Sequence, residues 1–168
     1  MAIFTNLAVD CAKNVSVAES LFAIYDDLEL ITRDFGTVGC DVEHIKPHRH
    51  WRHPDKFNDH AGDWHTLCVS PTGIENGSLV PESLVDELRP QLYEPLKQGP
   101  EFRSALFWYE AQDDLLEMDW PKFLEQLNVP EFLPKVPGII VSKDLITDPD
   151  AIPRLRPFCD GYLWYEPI

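Results

Sequence analysis

The chain has 168 residues, with 29 Asp and Glu against 14 Lys and Arg, a formal charge of −15 with the six histidines neutral. A length of this order makes one domain spanning 1–168, and 44% hydrophobic residues, with five Trp, nine Phe and five Tyr, fill a core and exclude disorder over most of the chain. The acidic excess without any block of Lys or Arg excludes a general binder of nucleic acid or of anionic membranes and favours a basic partner.

The opening MAIFTNLAVDCAKN lacks a charged region followed by an apolar one, and no apolar run is long enough to cross a bilayer, so a cytoplasmic chain without a signal is expected. Ser16 and Glu19 stand at capping-box spacing, and Val17, Leu21, Ile24, Tyr25 and Leu28 recur at helical intervals, predicting a helix from about Ser16 to Ile31. Thr32 to Asp63 shows no sustained apolar period and reads as an irregular segment or a pair of short strands with a large loop. DWHTLCVS, residues 63–70, predicts a strand ending at the turn residues PTGIENGS.

Pro81 to Leu88 fits a second helix with Leu84, Val85 and Leu88 on one side, and Pro90 is expected to break or kink it. FRSALFWYE, residues 102–110, reads as a buried strand. Between Gln112 and Asn128 two short helices are expected, Asp119 capping the second and Pro121 in its first turn. GIIVS (138–142) and GYLWYE (161–166) read as strands, with at most a helical turn or two between them. The fold class expected is α+β, a single domain with a largely antiparallel sheet, an N-terminal helix and several short helices.

All six histidines fall between His44 and His65, so this segment carries a reason of its own. A zinc site is one reading, because imidazole is the commonest metal ligand. His48, His50, His53 and His65 are its candidates. The spacing His48-x-His50 followed by His53 is close to a metallo-hydrolase run, yet Trp51 and Arg52 stand where that run needs a spacer and a carboxylate. The reading adopted is a structural or recognition loop with no cofactor, the metal-dependent enzyme or metal-binding protein being the alternative. Cys11, Cys40, Cys68 and Cys159 lie far apart without a CxxC pair, as reduced thiols do.

The second constellation is acidic. Glu110, Asp113, Asp114, Glu117 and Asp119 place five carboxylates in ten residues directly after Phe107, Trp108 and Tyr109. One contiguous run rarely converges on a metal or a substrate, so the choice lies between a solvated face and an interaction surface in which carboxylates meet Arg and Lys while aromatic anchors are buried. There is no GxSxG and no glycine-rich phosphate loop among the eight glycines, and an enzyme is not expected.

With GDWHTLCVS, ALFWYEAQDD and GYLWYE, the chain resembles bacterial immunity proteins that accompany polymorphic toxins, particularly those paired with nuclease toxins of restriction-endonuclease-like fold. The resemblance covers Asp63 to the C-terminus. It implies a non-enzymatic inhibitor, encoded beside its toxin, that blocks the toxin inside the producing cell. The partner expected is therefore a cognate toxin with a basic surface, met through Glu110, Asp113, Asp114, Glu117 and Asp119 with Trp108 or Tyr109, by a monomer or homodimer that binds neither nucleic acid nor membrane.

Overall fold

A computed structural model of the chain describes residues 5–45, 65–74, 81–109, 129, 138–152 and 154–166. Among them are two helices, α1 (Val15–Asp26) and α2 (Glu82–Tyr93), and nine strands: β1 (Thr5–Asp10), β2 (Leu30–Thr32), β3 (Gly36–Val38), β4 (Cys40–Ile45), β5 (Thr66–Pro71), β6 (Ser104–Tyr109), β7 (Ile140–Ser142), β8 (Leu155–Cys159) and β9 (Tyr162–Tyr165). Seven strands form one sheet in the order β4-β5-β1-β6-β7-β9-β8, and β2 and β3 form a separate hairpin. Every pairing is antiparallel. The α+β class with a largely antiparallel sheet is thus the observed one.

Alternation along each strand divides the core in two, because successive side chains point to opposite faces. Leu7, Val9, Ala105, Phe107, Ile140 and Tyr162 join the buried residues of α1 and α2 on one face. Ala8, Leu106, Val141, Leu163 and Tyr165 face the other, where Ile146 and Ile152 cover them. These last two follow short 3-10 turns at Lys143–Leu145 and Pro149–Ala151. The sheet is therefore covered on both sides.

That double cover explains β1, which no sequence pattern announces. All six of its residues are buried, and a strand buried on both faces loses the apolar–polar alternation that marks one exposed to water on one side. β8 also stands where only a helical turn or two is expected. It is an edge strand whose register shifts between Pro157 and Cys159, the place where a proline costs least in a sheet.

α1 starts two residues earlier than the capping box predicts. Asn14 is the cap, its side chain accepting the Val17 N–H at 3.3 Å, while the Ser16 hydroxyl donates to Asn14 Oδ1 at 2.8 Å. The helix also stops at Asp26 instead of Ile31, since Leu30 is needed as a fully buried residue of β2. Pro90 does not break α2, which continues to Tyr93. Proline removes one donor and crowds the preceding turn, a cost of about 3 kcal/mol; burial of Leu92 and Tyr93 beyond it offsets that at roughly 1.5–3 kcal/mol per large apolar side chain. The two helices expected within 112–128 lie outside the described residues.

Candidate functional site

The site is built where α1 gives way to the β2–β3 hairpin. The last turn of α1 carries no basic residue, and Asp26, Asp27 and Glu29, all exposed, follow in succession. Carboxylates at a helix C-terminus meet the negative end of the macrodipole, an unfavourable placement worth about 0.3–1 kcal/mol each. A chain that keeps them there is spending stability on something other than its fold.

The hairpin is then fixed by α2. The Gln91 side chain imitates a neighbouring strand: its oxygen accepts the Ile31 N–H at 2.8 Å and its amide donates to the Ile31 carbonyl at 2.8 Å. Glu87 accepts the Arg33 N–H at 3.2 Å. The turn closes through Thr32, whose hydroxyl accepts the Phe35 N–H and donates to the Gly36 carbonyl, with Gly36 at φ 71°. Since Leu30 and Thr32 point inward, Ile31 must point outward.

Along this stretch large apolar side chains and carboxylates alike are exposed. Ile24, Ile31 and Phe35 are 39%, 70% and 42% exposed, and Asp26, Asp27, Glu29 and Asp34 are exposed between them. The one cation in this stretch, Arg33, lies 3.5 Å from Glu87 with its side chain in solvent, an ion pair of little strength. The stretch offers what a basic protein needs: large side chains to bury and negative charge beside them in the chain.

Trp108 is half-buried between both core clusters, with the Arg89 guanidinium 5.7 Å from its ring centre. The backbone of Tyr109 pairs with Thr5 in β6 and β1. Glu110, Asp113, Asp114, Glu117 and Asp119 lie outside the described residues, as do His48, His50 and His53. The two segments nevertheless leave from opposite ends of the sheet. Ile45, before the histidine-rich segment, pairs with Thr66, whose other neighbour is Asp10, whereas Tyr109, before the acidic run, lies at the Thr5 end.

His65 meets His44. His44 Nε2 and His65 Nδ1 are 2.9 Å apart and the rings are tilted by 46°, so one shared proton joins them. Among the described residues no group of three or more His, Cys, Asp or Glu is arranged to hold a metal ion. At the same sheet end, the Asp10 carboxylate is fully buried, paired with the Arg103 guanidinium and accepting the Ala12 N–H at 2.9 Å. Burial pushes Asp10 up to about 6, against the opposing pull of Arg103 and the Ala12 N–H. All four cysteines are free thiols; burial pushes Cys11 up to about 12 and Cys40 to about 11, which suits packing and not nucleophilic attack.

The hairpin surface is missed by sequence reasoning because a helix running to Ile31 absorbs its residues. The available signal was the run Asp26, Asp27, Glu29 without a compensating cation. No helix among the described residues is long and apolar enough to cross a membrane. Comparison with protein-family models, curated proteins and solved structures finds no match.

Proposed function

We propose that this chain is an immunity protein that binds and neutralises a cognate basic toxin. The observation that carries the reading is the exposed Ile31 and Phe35 framed by Asp26, Asp27, Glu29 and Asp34 on a hairpin held rigid by Gln91. A net charge of −15 steers a cationic partner and repels nucleic acid. Nuclease toxins suit it best, because an enzyme that grips phosphates must present the cationic surface that such an inhibitor would cover. Glu110 to Asp119 supplies a second acidic contact in the same reading.

Replacing Asp26, Asp27, Glu29 and Asp34 together by Lys tests this surface. Association with the toxin should slow by about 10–1,000-fold at low salt, with a flatter dependence on ionic strength. The Asp26→Lys and Asp27→Lys changes should meanwhile gain about 0.3–1 kcal/mol of stability, because they complement the end of α1. Phe35→Ala should act instead on the dissociation rate. Unchanged rates in all these variants would place the contact elsewhere.

A second reading, the zinc protein, has one observation in its favour, the convergence of His44 and His65 at 2.9 Å. A zinc titration of the untagged chain separates the two. Stoichiometric uptake, abolished by His44→Gln with His65→Gln, would favour the metal reading.

A further inference from the structure

A cavity of about 400 Å³ opens between α2, with the turn that follows it, and the strands β8 and β9. That volume lies within the range of small-molecule sites, about 300–1,000 Å³. Five ring side chains line it: Pro90 and Tyr93 of α2, Pro157 and Phe158 of β8, and Trp164 of β9. Such side chains have few rotamers, so a wall built of them gives up little entropy when a ligand settles against it. Tyr93 and Phe158 already brace each other edge to face, 6.1 Å between ring centres.

The charged residues of the lining pair with one another. Asp86 holds Arg89 at 2.7 Å and Glu94 holds Lys97 at 2.6 Å, so a charged ligand would have to disturb one of these pairs while a neutral one leaves both intact. The polar atoms of the rings are also engaged or turned away. The Tyr93 hydroxyl is spent on the Gly138 carbonyl and the Phe107 N–H. Trp164 is half-buried with its Nε1 wholly buried, so its share of the lining is not the N–H. What the side chains leave for a ligand is ring carbon.

We propose that this cavity binds a planar, uncharged aromatic molecule of one or two rings, packed against Phe158 and Trp164. Apolar cavities take aromatic guests without any polar contact, and aromatic rings prefer the offset and edge-to-face arrangements that a wall of several rings provides. The site uses no residue of the hairpin surface. It stands or falls apart from the toxin reading.

The test is a titration of the intact ¹⁵N-labelled chain with indole, and in parallel with indole-3-acetate and tryptamine, which keep the rings and add one negative or one positive charge. The signal followed is the Trp164 side-chain N–H, identified by its loss in Trp164→Phe. Indole is expected to shift it saturably, with a Kd of about 1 mM or tighter. Either charged analogue should bind about two- to fivefold more weakly, the worth of the exposed ion pair that its charge disturbs. Phe158→Leu keeps apolar bulk and removes the ring face, and should weaken indole by about two- to tenfold. The charge series uses the unaltered chain and decides the matter even where Phe158→Leu does not fold. No saturable shift up to about 10 mM indole, equal or tighter binding of either charged analogue, or an affinity unmoved by a folded Phe158→Leu would each overturn the proposal.

Discussion

Arg103→Met should destabilise the protein by about 3–5 kcal/mol at pH 8, the range found when one partner of a buried ion pair is removed, and up to about 2.7 kcal/mol of that loss, two pH units at about 1.36 kcal/mol each, should disappear at pH 5. Arg103 and Asp10 sit at the junction of β6 and β1. The Arg103 side chain is 11% exposed and Asp10 not at all. The backbone ties the same two residues together, the Arg103 N–H donating to the Asp10 carbonyl at 2.8 Å. Removal of the guanidinium leaves a carboxylate buried with only the Ala12 N–H to stabilise its charge.

The sign of the pH dependence follows from Asp10, whose folded value of about 6 lies above the ordinary 3.8. Its contribution to stability is fully present below 3.8 and is lost as pH rises through 6. Without Arg103 the folded value climbs further, so the variant goes on losing stability at pH values where the wild type has levelled off. At pH 5 Asp10 is mostly protonated in both folded proteins, and the deficit narrows to what the lost packing and the lost neutral contact cost. Urea unfolding of both proteins from pH 5 to 8 measures it; a deficit independent of pH would show that Arg103 acts through packing alone. At 2–4 °C per kcal/mol for a domain of this size, the pH 8 deficit corresponds to roughly 6–20 °C in Tm.

Tyr93→Phe should cost about 2–5 kcal/mol although it removes a single oxygen. The Tyr93 hydroxyl donates to the Gly138 carbonyl at 2.7 Å and accepts the Phe107 N–H at 2.9 Å. Among the described residues β6 and β7 pair at Ser104 with Val141 and at Ala105 with Ile140, and the Phe107 amide lies beyond these pairs. The hydroxyl continues the ladder where the strand does not. Two buried backbone groups are orphaned by its loss, at about 1–3 kcal/mol each. Amide exchange at Phe107 reports the same event locally: it should accelerate far more than exchange at Leu7 or Val9. Uniform acceleration would reduce the effect to a global loss of stability.

The same geometry shows what was legible beforehand. β5, β6, β7 and β9 are announced by aromatic and β-branched runs between turn residues, and α1 by its apolar stripe. β1 is hidden because both of its faces are covered. The end of α1 is hidden because Ile24, Leu28 and Ile31 continue a helical period that the buried position of Leu30 overrides. That error conceals the hairpin surface, since the outward direction of Ile31 follows from strand parity and from Gln91, sixty residues away in the chain.

In the proposed function the acidic hairpin and its surroundings stop a basic toxin. Titration of the purified chain into the toxin domain that the proposed function expects to be encoded beside it, with heat of binding and toxin activity read from the same sample, decides between inhibition and none. A one-to-one complex of nanomolar or tighter affinity, about −12 kcal/mol or below, is expected, with activity abolished at equivalence and affinity reduced in the Asp26, Asp27, Glu29, Asp34 charge-reversal variant. Full toxin activity in the presence of excess chain, with no heat of binding, would contradict it.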